Sequence, residues 1–182
     1  MKKIILLVIY LFLGGVIVSA SVDKIEENIF KLTSNELKDN STLPNAQVFK
    51  GYGCNGGNVS PQLFWKNIPD NTKSFAIICH DPDAPRENGW YHWLVINIDK
   101  NITSVKQGEK IGFETVTDFG NTGYGGACPP VGHGIHHYNF TIYALDVDKL
   151  DLPSTTAPLE VEKNVLKHTI AKSTITALYE RK

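Results

Sequence analysis

The sequence has no block of lysines and arginines: 18 basic residues are spread along 182 positions against 19 acidic ones, for a net charge of −1. The electrostatic footprint of a nucleic-acid binder is missing, so no nucleic-acid partner is expected. There is no Gly-x-Ser-x-Gly elbow either. Ser60 lies in NVSPQL, without the turn that exposes a serine nucleophile. The glycines of GNTGYGGA are not followed by Lys-Ser/Thr, which argues against a phosphate-cradling P-loop. No internal repeat and no low-complexity linker interrupts the chain. What is present is the profile of a folded protein, 42% hydrophobic and 20% charged, at a length that fits one domain with a substantial core.

The N-terminus, MKKIILLVIYLFLGGVIVSAS, joins two lysines, an apolar run from Ile4 to Val18 and the small residues Ser19, Ala20 and Ser21. That is the layout of a secretory signal peptide cut after Ala20. The alternative is an uncleaved anchor, but the run is short of the roughly 20 residues a span needs. No Cys follows it to carry a lipoprotein anchor. Residues 1–20 are read as a leader, and 21–182 as a periplasmic or secreted mature chain without a membrane span. In an oxidising compartment two of the three cysteines can pair. Cys79 lies inside the FAIIC strand and reads as a small buried hydrophobe. Cys54 (GYGCNGG) and Cys128 (GGACPP) both sit in Gly-rich loops and are the natural disulfide.

The stretch 46–81 reads as strand, Gly loop, strand, turn and strand, with Pro69, Asp70 and Asn71 punctuating the turn. Trp90–Ile98, Tyr138–Leu145 and Thr174–Tyr179 are rich in β-branched and aromatic residues and read as further strands. Only APLEVEKNVLKHTIA, after Pro153 and the candidate cap Ser154, reads as a helix. Many short strands with one late helix predict a mainly antiparallel β protein, a sandwich.

Strand alternation then places the polar residues. Phe75, Ile77, Cys79 and Asp81 share a face. So do His92, Leu94, Ile96 and Ile98, opposite Tyr91, Trp93, Val95 and Asn97. So do His136, Tyr138, Phe140, Ile142 and Ala144. Each row of apolar side chains ends in a polar one, and converging ends would line one small polar pocket. The alternative is a set of separately satisfied strand-end residues. His136 and His137 are adjacent on a strand and cannot chelate one ion together. A metal site of His92, His136 and Asp81 stays open geometrically, but no metal and no cofactor is expected.

These residues also carry a family resemblance. The DPDAP of Asp81–Pro85, followed by His92 in GWYHWLVINI, resembles the first signature of the phosphatidylethanolamine-binding proteins (PEBP), in their bacterial Raf-kinase-inhibitor-like branch. GGACPP and HHYNFTIYALD resemble the second, and GCNGGNVSPQLFW, TDFGNTGYGG and STITALY are similar to that branch. The resemblance covers about Phe30 to Tyr179. It implies a PEBP-like antiparallel β-sandwich of Greek-key type over 21–182, with a peripheral C-terminal helix and a small anion pocket at one end. Its pocket residues are Asp81, Asp83, Pro85, His92, His136 and Tyr138, with Cys128 and Pro129 on the neighbouring loop. The familiar eukaryotic form has Gly where Cys128 stands.

Two carboxylates are an odd lining for an anion site. Charged His92 or His136, a donating Tyr138 or a shared proton would reconcile them. The function expected is binding of a small anion or phosphorylated head group in a regulatory or inhibitory role, not catalysis. The rival readings are a hydrolase using the Asp/His pocket as general acid and base, and an inhibitor whose protein target docks at the pocket mouth. The resemblance also makes a homodimer an expectation.

Overall fold

The computed structural model describes residues 28–182; the leader read at 1–20 lies outside them. The described strands are β1 (Lys31–Thr33), β2 (Ser41–Thr42), β3 (Lys50–Gly51), β4 (Cys54–Asn55), β5 (Leu63–Lys66), β6 (Ser74–Asp81), β7 (Trp90–Asp99), β8 (Ser104–Val105), β9 (Phe113–Glu114), β10 (His136–Leu145) and β11 (Thr169–Tyr179). Among the described residues one α-helix, α1 (Pro158–Lys167), precedes β11. Six strands form one sheet in the order β2-β11-β10-β6-β7-β9, and three form a second in the order β1-β5-β8. Among the described residues no helix is long and apolar enough to cross a membrane.

The long strands β6, β7 and β10 are apolar on both faces because both faces are covered. On one face Phe75, Ile77, Cys79, Trp93, Val95, Phe140 and Ile142 pack against Leu32, Leu63, Trp65 and Val105 of the small sheet. On the other, Ala76, Ile78, Leu94, Ile96 and Leu145 pack under Val161 and Val165 of α1. That is why their sequences read as continuous hydrophobic runs rather than as polar/apolar alternation. The sandwich core lies between the sheets, with the helix as an outer layer.

Strict alternation fails on β7. Cys79 pairs with Trp93 while the next residue, His80, pairs with Tyr91, so His92 is an extra residue opposite a single step of β6. A second extra residue falls between the pairs Phe75–Ile98 and Ile77–Val95, where Asn97 takes a positive φ of 56°. Asn97 then bonds Leu150 through both ends of its amide, at 3.0 and 2.7 Å. These two bulges move Trp93, Val95 and Ile98 to the sandwich core and Leu94 and Ile96 to the helix side. The grouping of His92 with Leu94, Ile96 and Ile98 is therefore corrected. Bulges commonly re-aim a side chain beside a functional site, and here the residue re-aimed is His92.

Two local expectations are also corrected. The segment from Ala46 is not a strand at its start: Asn45–Gln47 is a 3-10 turn, tied by backbone bonds from Gly57 and Val59. Ser154 does not cap the helix. It lies in a turn closed by Thr156 N–H to Pro153 O, and α1 begins at Pro158, whose missing N–H costs nothing at that position. The helix stops at Lys167 because the β-branched residues from Thr169 onward join the sheet.

Candidate functional site

The C-terminal end of β6, the bulge of β7 and the start of β10 meet at one edge of the large sheet. Register explains the meeting. Asn139 pairs with His80, so Tyr138 and His136 lie level with and just beyond Asp81. All four polar residues are buried: Asp81 2%, His92 4%, His136 1% and Tyr138 2% exposed. They form the floor of a cleft of about 220 Å³ whose lining includes Pro85, Cys128 and Pro129.

Each oxygen of Asp81 accepts a hydrogen bond. Its Oδ1 accepts the backbone N–H of Asp83 at 2.9 Å, the turn that Pro82 makes possible. Its Oδ2 accepts from His136 Nδ1 at 2.7 Å. The other nitrogen of His136 bonds to Nδ1 of the exposed His133 at 2.7 Å, so a chain of hydrogen bonds runs from solvent through His133 and His136 to Asp81. Tyr138 stands between the two pocket histidines, edge-on to His92 with centroids 5.1 Å apart and stacked on His136 at 6.4 Å. Burial first, then the charge of Asp81, keeps its hydroxyl protonated throughout the physiological range.

His92 is held from one side by a glycine. Its Nδ1 donates to the carbonyl of Gly125 at 2.7 Å, and Gly125 N–H returns a bond to His92 O at 2.8 Å. A Cβ on Gly125 would stand 2.3 Å from the Phe119 ring, so only glycine fits between that ring and His92. Burial pushes the His92 pKa down to about 4, against weaker upward pulls from the Gly125 carbonyl and Asp81. The ring is neutral near neutral pH. His92 therefore does not supply the positive charge expected of it, and its Nε2 is buried without a hydrogen-bond partner.

Asp83 is also corrected. It is not part of the cleft lining but sits on the outer side, where its Oδ2 accepts from His137 N and His137 Nδ1, both at 2.8 Å. Slight burial raises its pKa, and the bonds from His137 outweigh that and leave the carboxyl below its ordinary value. It braces the Asp-Pro-Asp-Ala-Pro loop to β10. His80 points to the opposite sheet face, bonds Asn88 O at 2.8 Å and stacks on Tyr91.

Residues that alternation could not reach form the walls. Tyr52, Phe49, Phe119 and Trp90 make a row of neighbouring rings 4.8–5.3 Å apart, of which Tyr52, Phe119 and Trp90 line the cleft. Arg86 lies over the Trp90 ring at 4.9 Å and pairs with Asp118 at 3.0 Å. The aromatic in TDFGNTGYGG and the Arg directly after DPDAP were the available signals. Cys54 and Cys128 form a disulfide, and Cys79 is a free buried thiol. The bridge ties the β3–β4 turn that carries Tyr52 to the Cys128–Pro130 rim. Arg181 reinforces it with bonds to Pro129 O at 3.2 Å and Gly53 O at 3.3 Å. Among the described residues, no group of three or more His, Cys, Asp or Glu side chains could hold a metal ion.

Residues 33–180 match the family profile described as phosphatidylethanolamine-binding protein. The chain belongs to the PEBP family. It is 43% identical over 157 residues to the UPF0098 protein YbhB of Escherichia coli K12, covering 82% of this chain and 99% of that one. Its fold is similar to the crystal structure of E. coli YbcL, described as a new member of the mammalian PEBP family, with TM-score 0.81, 41% identity and coverage of 84% and 99%. A putative PEBP homologue from Chlamydia trachomatis is similar at TM-score 0.74 and 31% identity, over 85% and 99% of the two chains. PEBP membership supports a ligand-binding protein of this type.

Proposed function

We propose that this PEBP-type chain is an exported, non-catalytic binding protein whose cleft takes a small phosphate-type anion or phosphorylated head group in a regulatory role. The observation that carries this reading is the buried floor of Asp81, His92, His136 and Tyr138, in which His92 Nε2 has no partner inside the protein. A polar atom buried at that cost marks a place where a ligand atom belongs. The aromatic and proline walls fit a small group and shield it from water, which strengthens each polar contact within.

Export is supported by the disulfide, since such bridges persist in oxidising compartments. The binding reading is favoured over a covalent one because Cys128, on the rim of the cleft, is tied in the bridge. The hydrogen-bond chain from His133 to Asp81 favours a second reading, general acid–base hydrolysis of the bound group. Calorimetry with phosphoethanolamine, run beside phosphatase and esterase assays on the same preparation, separates the two. Saturable binding without turnover is the expected result. Turnover abolished by His136→Ala would establish the hydrolase instead.

A further inference from the structure

The unpartnered nitrogen of His92 carries information about the protonation state of the ligand. A carbonyl oxygen only accepts, so the bond to Gly125 O puts the ring hydrogen on Nδ1. In the neutral ring Nε2 is then an acceptor. It is buried at the floor of the cleft with no donor in reach. A ligand that satisfies it must bring a hydrogen.

Among the described residues, most other polar groups lining the cleft are already engaged, the exception being the unpartnered Nε1–H of Trp90, a neutral donor. From β6, Asp81 accepts from Asp83 N–H and His136 Nδ1. From β10, His136 Nε2 is held by His133. From the loops, Arg86 is the only Lys or Arg side chain lining the cleft among the described residues, and it is paired with Asp118. His80 acts on His92 through charge alone, from the far face of the sheet. The cleft therefore offers an unfilled acceptor, a carboxylate and little unspent positive charge. A dianion is repelled by Asp81 about twice as strongly as a monoanion at the same distance.

We propose that the site takes its anion with a proton on it: a monoanionic phosphate monoester whose P–OH donates to His92 Nε2, in preference to a dianion or to an anion that carries no proton. The inference rests on the anion-site reading above and specifies the chemical form that site selects. No covalent step is involved.

The test is calorimetry on the mature chain with methyl phosphate and methyl sulfate at about pH 5, below the monoester's second pKa of about 6. Both probes are then singly charged methyl esters of similar shape, and only methyl phosphate carries a proton. Methyl phosphate should bind tighter by on the order of tenfold or more, the value of one hydrogen bond to a buried acceptor. Its affinity should fall about tenfold per pH unit above about pH 7, as the monoanion is depleted. Equal affinities, or methyl phosphate binding that is flat or rises with pH, would overturn the proton requirement and leave the anion reading standing. If neither ester binds, or if methylammonium binds in their place, the anion reading fails and the proposal with it. In a folded His92→Gln variant, whose amide can turn a donor toward the ligand, the preference for methyl phosphate should shrink toward parity. An unchanged preference would remove His92 from the role. If that variant does not fold, the wild-type pair of esters still decides.

Discussion

His92 and Gly125 are bonded to each other twice, side chain to carbonyl at 2.7 Å and backbone amide to carbonyl at 2.8 Å. That pair joins the bulge of β7 to the glycine-rich loop and fixes which ring nitrogen faces the cleft. Gly125→Ala would drive a methyl group to 2.3 Å from the Phe119 ring. The expected cost is about 1–3 kcal/mol of stability by overpacking, together with weakened ligand binding as the Phe119 wall shifts. Urea denaturation and calorimetry on the variant check both, and a variant of wild-type stability would show that the loop yields freely.

The neutral, buried His92 makes stability depend on pH. Its folded pKa of about 4 lies below the ordinary 6.5, so between those values the unfolded chain binds a proton that the folded chain does not. Stability therefore rises with pH across that window and is lost as pH falls from about 6.5 toward 4. The full difference amounts to about 3 kcal/mol. Urea midpoints at several pH values should show this slope, and a folded His92→Gln variant should lose it. An equal slope in both proteins would place the titrating group elsewhere.

The Cys54–Cys128 bridge closes a loop with a sequence separation of 74. Chain entropy sets an upper value of roughly 4 kcal/mol for such a cross-link. Reduction should lower the denaturation midpoint and loosen the Tyr52 side of the cleft. Peptide mapping without reduction should recover the 54–128 linkage, with Cys79 reacting only after unfolding because burial, then the charge of Asp81, pushes its thiol pKa well up. Early labelling of Cys79 in the native protein would contradict this packing.

The proposed export predicts that residues 1–20 are removed and that protein isolated from its host begins at Ser21. N-terminal sequencing decides this, and intact Met1 in a cytoplasmic fraction would refute export.

The long strands, the disulfide and the polar ends of β6 and β10 were legible because each rests on local signals: β-branched runs, Gly-rich loops and two-residue periodicity. His92 was placed in the cleft for the wrong geometric reason. Alternation cannot see a bulge, and it is the extra residue opposite the Cys79–His80 step that turns this side chain inward. Asp83 looked like a second pocket carboxylate, but its neighbour Pro82 and its bonds to His137 turn it outward. The Tyr52, Phe119 and Trp90 walls come from three separate loops and strands, so no periodic pattern connects them. The charge of His92 was misjudged because its burial depends on Phe119 and Gly125, which lie far away in sequence.

The central claim is that the anion binds at the floor formed by His92, His136 and Asp81. The most direct measurement is NMR of the histidine ring nitrogens during a titration with methyl phosphate. His92 and His136 should shift together and saturably, with the largest change at His92 Nε2, while His80, on the opposite sheet face and bonded to Asn88 O, stays still. Histidine signals that do not move, or a His80 response as large as that of His92, would contradict it.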